Sequence, residues 1–106
     1  MELAYFQNIC QTLCDNYAEV TEGKMMRSPA IHYRGKVFAF LSRKQKLVIK
    51  LGKFFPLDTL EVKVCEFNPF TTKSALPGWY EVDFGVKDAW PSMAKLAYTL
   101  AKNGGS

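Results

Sequence analysis

From Glu2 to Val20 the apolar positions Leu3, Phe6, Cys10, Leu13, Tyr17 and Val20 recur at alternating intervals of three and four residues, which lays them in one stripe along a helix. Thr21-Glu22-Gly23 follows, and Gly23 suits the left-handed conformation that commonly ends a helix, so the helix is expected to stop there. Beyond it the pattern changes to strand-like alternation. Pro29 to Tyr33 reads as an edge strand carrying His32, and Arg34-Gly35 reads as a tight turn. Lys36 to Ser42 is apolar on both faces, with Val37, Ala39 and Leu41 pointing one way and Phe38 and Phe40 the other, so it belongs at the centre of a sheet. The polar tetrad Arg43-Lys44-Gln45-Lys46 then turns the chain into Leu47 to Leu51. There Leu47, Ile49 and Leu51 share a buried face, while Lys46, Val48 and Lys50 share a face expected to be wet.

Gly52 ends this strand. Pro56 to about Cys65 is read as a short helix with Leu57, Leu60 and Val64 inward, although Val62 and Val64 would also suit a strand. Asn68 to Ser74 and Leu76-Pro77-Gly78 punctuate a loop. Trp79 to Phe84 alternates, with Tyr80, Val82 and Phe84 on one face and Glu81 and Asp83 on the other. Lys87 to Lys102 carries Trp90, Met93, Ala94, Ala97, Leu100 and Ala101 at helical spacing, which requires Pro91 to lie in the first turn. This order predicts an α+β fold: a single small domain over residues 1–103, with an antiparallel sheet of about four strands and the N- and C-terminal helices packed on it. Residues 104–106 read as a flexible tail.

Composition narrows the class. With 48% hydrophobic residues the chain can bury enough surface to offset the entropy of ordering, which excludes a disordered polymer. The longest apolar run, Val37 to Leu41, is far below the roughly 18–20 residues of a membrane span, so no membrane association is expected. Three cysteines, an odd number, and an N-terminus without the basic-then-apolar plan of a secretory signal together point to a reducing cytoplasm.

Catalytic chemistry has little to stand on. The single histidine, His32, sits in an acid-free stretch without a local nucleophile or orienting carboxylate. Cys10 and Cys14 lie four apart on the first helix and Cys65 is remote, which falls short of the two close pairs of a zinc site and fits packing instead. Glu81 and Asp83 share a strand face, either as a carboxylate pair or as partners for the lysines of a neighbouring strand. There is no phosphate-cradling glycine loop, dinucleotide fingerprint or nucleophile elbow. No enzyme activity, cofactor or metal is therefore expected.

The net charge of +4 conceals a division. Between Lys24 and Leu57 there are nine cations and no acids, which leaves five cations against all ten acids elsewhere. Arg43, Lys44, Lys46 and Lys50, with Arg34 and Lys53, could form a basic sheet face and hairpin that neutralises nucleic-acid phosphates. Lysines on exposed strands also guard against sheet-to-sheet aggregation, so the same pattern fits plain structure. A protein partner or a homodimer is the alternative, using the aromatic loop with Phe67, Phe70 and Trp79 as its contact surface.

The run GKMMRSPAIHYRGKVFAFLSRKQKLVIKLGK (Gly23 to Lys53), the NPF of Asn68 to Phe70, the ALPGWYEVD of Ala75 to Asp83 and the closing WPSMAKLAYTLAK together resemble the N-terminal domain of the TfoX/Sxy family over roughly residues 20–102. The MmcQ/YjbR-like group, also small and α+β, is the second resemblance. Many TfoX members read Met-Phe-Gly-Gly where this chain has Met26-Arg27-Ser28-Pro29. The resemblance implies a non-enzymatic regulatory or nucleic-acid-associated domain.

Overall fold

The computed structural model describes residues 1–25, 28–52, 54–67 and 78–103. Helix α1 (Glu2–Asn16) is followed by strands β1 (Val20–Met25), β2 (Ser28–Tyr33), β3 (Lys36–Leu41) and β4 (Leu47–Lys50). A 3-10 turn (Leu57–Thr59), the short strand β5 (Cys65–Glu66), strand β6 (Trp79–Val82), a second 3-10 segment (Phe84–Ala89) and helix α2 (Trp90–Lys102) complete the order. The fold is α+β, as the alternation of periods predicts. The sheet is antiparallel and has six strands rather than about four, in the order β1-β2-β3-β4-β6-β5.

Both helices lie on one face of the sheet. Phe6, Ile9, Cys10 and Leu13 of α1 and Trp90, Met93, Ala94 and Ala97 of α2 meet Ile31, Leu47, Ile49 and Val82 in the main core. Trp90, fully buried, donates its indole N–H to the Asp83 carbonyl at 3.0 Å and packs its ring against Tyr5 and Phe84. Pro91 falls in the first turn of α2, where its missing N–H costs no helical bond.

Several local expectations give way to pairing. Helix α1 ends at Asn16, with Tyr17 already extended, and Thr21 to Gly23 lie inside β1 instead of stopping the helix. Val20 continues the apolar stripe and is buried, but it reaches the core from a strand, which its β-branched side chain favours. Its strand pairs with β2, so β2 and His32 are interior to the sheet and β1 is the edge. The helix expected from Pro56 to Cys65 is one 3-10 turn. Leu57 there is exposed, whereas Leu60, Val62 and Val64, spaced two apart, pack on the core.

Strand β3 is the second correction. Ile31 pairs with Ala39 but His32 with Val37, so Phe38 is an extra residue in the ladder. A bulge of this kind turns two successive side chains to one side. Phe38 therefore joins Ala39 and Leu41 in the main core, and Val37 joins Phe40 on the opposite face. That opposite face is not simply wet. Val48 is fully buried there with Ala30 and Phe40, and Val37, Phe67 and Trp79 pack around them.

Candidate nucleic-acid interface

The β3–β4 connection is built from Ser42 outward. The Ser42 N–H donates to the Lys46 carbonyl at 2.9 Å, and the Gln45 N–H donates to the Ser42 carbonyl at 2.9 Å. The Lys46 N–H lies 3.3 Å from the Ser42 hydroxyl oxygen, which accepts from it in a site only 5% exposed. Gln45 has φ +63°, the left-handed position that closes a three-residue hairpin loop. Arg43 and Lys44 are thereby held at the tip, exposed, and neither has an ion-pair partner among the described residues. Replacing Gln45 with glycine is expected to stabilise the domain by about 0.5–1 kcal/mol, because the left-handed cost of a non-glycine residue exceeds the entropy that glycine adds to the unfolded chain. A rise of a few degrees in Tm checks this, and a fall in Tm refutes it.

Lys46 and Lys50 follow on the face away from the helices, and both already have neighbours. The Lys46 ammonium is 3.7 Å from an Asp83 carboxylate oxygen, with the two side chains 36% and 66% exposed. An exposed pair of this length is weak and screened by salt, so Lys46 retains much of its charge for another anion. The Lys50 ammonium stands 5.9 Å from the centre of the Trp79 ring, a cation–π approach. Glu81 pairs across the ladder with Val48, between the two lysines. Asp83 lies just past the end of β6 and has a second role. Its Oδ2 accepts from the Gly85 N–H at 2.9 Å and so starts the 3-10 segment before α2.

Arg34 belongs to a different place. It sits with φ +51° in the two-residue β2–β3 turn beside Gly35, at φ +83°, the left-handed pair that such a hairpin requires. This is the opposite end of β3 from Arg43, a strand length or about 20 Å away. Its guanidinium reaches Glu19 Oε1 at 2.6 Å and 2.9 Å. The Glu19 carboxyl is lowered by that hydrogen bond, and Arg34 is raised by the same contact. The fold thus gathers Arg43, Lys44 and Lys46 at the β3–β4 end of the sheet, sets Lys50 at the other end of β4 on the same face as Lys46, and places Arg34 in the turn at the opposite end of β3. Lys53 and Phe70 lie outside the described residues. Phe67 and Trp79 are half-buried, with ring centres 5.3 Å and 5.6 Å from that of Phe40.

The other chemistry is distributed away from this end. The Cys10 thiol is pushed up to about 12 by burial, with Cys14 and the Glu22 carboxylate adding to the effect. It stays protonated and unreactive at neutral pH. A maleimide under native conditions is expected to label exposed Cys65 first and Cys10 only after unfolding, a sequence that peptide mass spectrometry reads directly. Equal labelling of Cys10 and Cys65 in the native state would contradict the burial. Among the described residues no group of three or more His, Cys, Asp or Glu is placed to hold a metal ion. A groove of about 530 Å³ runs between α1 and α2, lined by Tyr5, Asn8, Thr12, Tyr17, Ser92 and Lys95, on the opposite side of the sheet from Trp79 and Glu81. Among the described residues no helix is long and apolar enough to cross a membrane.

Asp83 as a partner of a neighbouring strand's lysine is one of the two readings that the sequence allows, whereas Glu19 as the partner of Arg34 leaves no mark in its pattern. Asp83 followed the alternation of a strand, and only the Asp-Phe-Gly order hinted at a capping carboxylate. Comparison of the chain with protein-family models, curated proteins and solved structures found no match.

Proposed function

We propose that this α+β domain is a non-enzymatic binding module that takes up nucleic-acid phosphates through the β3–β4 hairpin and the adjoining lysines on the sheet face away from the helices. The observation that carries the reading is the hairpin tip: Arg43 and Lys44 are exposed and without ion-pair partners among the described residues, on a loop pinned by a buried hydroxyl. Lys46 and Lys50 extend the cationic surface from the tip along β4. The resemblance to the TfoX N-terminal domain supports the same class of partner. Contacts of this kind read the backbone of the nucleic acid and not its bases, so binding is weak and independent of sequence.

Fluorescence anisotropy with a labelled random duplex and a labelled single strand, titrated at stepped salt, tests the proposal. The expected dissociation constant lies in the range typical of non-specific binding, about 10⁻⁴–10⁻⁶ M. With about three phosphates engaged, the logarithm of the affinity should fall with the logarithm of salt at a slope near −2.7 for duplex. Absence of binding to either strand form at low salt, or binding indifferent to salt, overturns the reading.

A further inference from the structure

We propose that β1 is a homodimerisation edge: two copies pair antiparallel through residues 21–25 about a two-fold axis at Gly23, which sets Glu22 of each copy opposite Lys24 of the other. The sheet has two edges, and they differ. Strand β5 is two residues long, whereas β1 offers six, with no proline of its own and no bulge in its ladder with β2 to blunt it.

The direction of the free backbone groups follows from the ladder. The Arg34 N–H donates to the Glu19 carbonyl, and Val20 is registered with Tyr33, so Glu19 and Arg34 form a hydrogen-bonded pair. Antiparallel pairs alternate between bonded and non-bonded. Thr21, Gly23 and Met25 therefore turn their backbone groups to β2, and Val20, Glu22 and Lys24 turn theirs outward. The Val20 N–H is already taken by the Tyr17 carbonyl at 3.1 Å. The outward groups of Glu22 and Lys24 are left as the template for another strand.

Only a few symmetric registers use these groups. Centring the axis on Glu22 sets glutamate against glutamate, and centring it on Lys24 sets lysine against lysine. Centring it on Gly23 makes two bonded pairs, each Glu22 against the second copy's Lys24, with opposite charges on the same face. Both side chains are exposed, and neither has an ion pair among the described residues. Glycine also suits the axis itself, because the Cα atoms of a non-bonded pair approach to about 4.5 Å. On the face away from the helices the His32 ring occupies the space that a Gly23 side chain would need, so the axis is already filled from within each copy. A lone edge lysine would repel a second copy; Glu22, two residues away, converts that repulsion into attraction in one register.

A contact limited to one strand pair is small, so the association is expected to be weak, in the micromolar range or above. Sedimentation equilibrium across a concentration series tests it with Lys24→Glu and Glu22→Lys. Each variant alone sets like charges opposite one another in both pairs and is expected to weaken the dimer about tenfold or more. Mixing the two variants restores opposite charges and should recover a heterodimer, as should the exchange Glu22→Lys/Lys24→Glu within one chain. Lys24→Glu is the cleaner single change, because Glu22 also lies beside the Cys10 thiol. On the unaltered protein, amide exchange at Glu22 and Lys24 should slow as concentration rises. A monomer up to about 1 mM, single variants that dimerise like the parent, a mixture that does not recover association, or amides indifferent to concentration would each overturn the proposal.

Discussion

Trp90→Ala is expected to cost about 3–5 kcal/mol, the range for removing a fully buried aromatic side chain, and to lower Tm by about 15–30 °C. Three consequences of its position add up. The indole is the largest of the fully buried side chains and fills the junction of α1, α2 and the 3-10 segment. Its N–H satisfies the Asp83 carbonyl at the end of β6. That same Asp83 caps the 3-10 segment through Gly85 and faces Lys46 across the sheet, so the anchor of the core also fixes one neighbour of the binding face. Trp90→Phe separates the parts. It keeps most of the ring volume but leaves the carbonyl without its donor, which is expected to cost about 1–3 kcal/mol. Urea unfolding of both variants checks the order. A Trp90→Ala variant within about 1 kcal/mol of the parent would show that the residue does not carry the packing assigned to it.

What could be read from the sequence was what depends on neighbours a few residues away. The stripe from Phe6 to Leu13, the alternation of Leu47, Ile49 and Leu51, and the spacing from Trp90 to Ala101 each report a local period, and each element formed on the expected face, whereas Leu3 at the start of the stripe is exposed. The misplacements share a different cause. Glycine is a common helix stop, which favours an end of α1 at Gly23, yet pairing with β2 claims residues 20–25 for a strand. Alternation alone puts Phe38 on the opposite face from the one it occupies, because a bulge is a property of two strands in register and leaves no mark in one strand's alternation. The candidate site followed the same division. The polar tetrad Arg43 to Lys46 announced its own hairpin, whereas Arg34 joined the same basic stretch in sequence and only the fold places it a strand length away, against Glu19.

That separation makes the binding reading testable within one charge class. Arg43→Glu/Lys44→Glu is expected to weaken nucleic-acid binding by about 10²–10³-fold at low salt, since each reversal exchanges an attraction to phosphate for a repulsion. Because both residues are exposed and free of ion pairs among the described residues, stability should stay within about 0.5 kcal/mol of the parent, and an unchanged Tm then assigns the loss to the interface. The salt slope should fall by about one for each phosphate contact removed, uniformly across duplex sequences. Arg34→Gln supplies the internal control. It removes a cation too, but one already bound to Glu19 at the far end of β3, so less than about a threefold change in affinity is expected. Equal losses from the tip and from Arg34 would mean that only net charge matters, and the hairpin would have no claim as the site. A larger loss at the tip, with the slope reduced and Tm unchanged, is what a phosphate-binding hairpin requires.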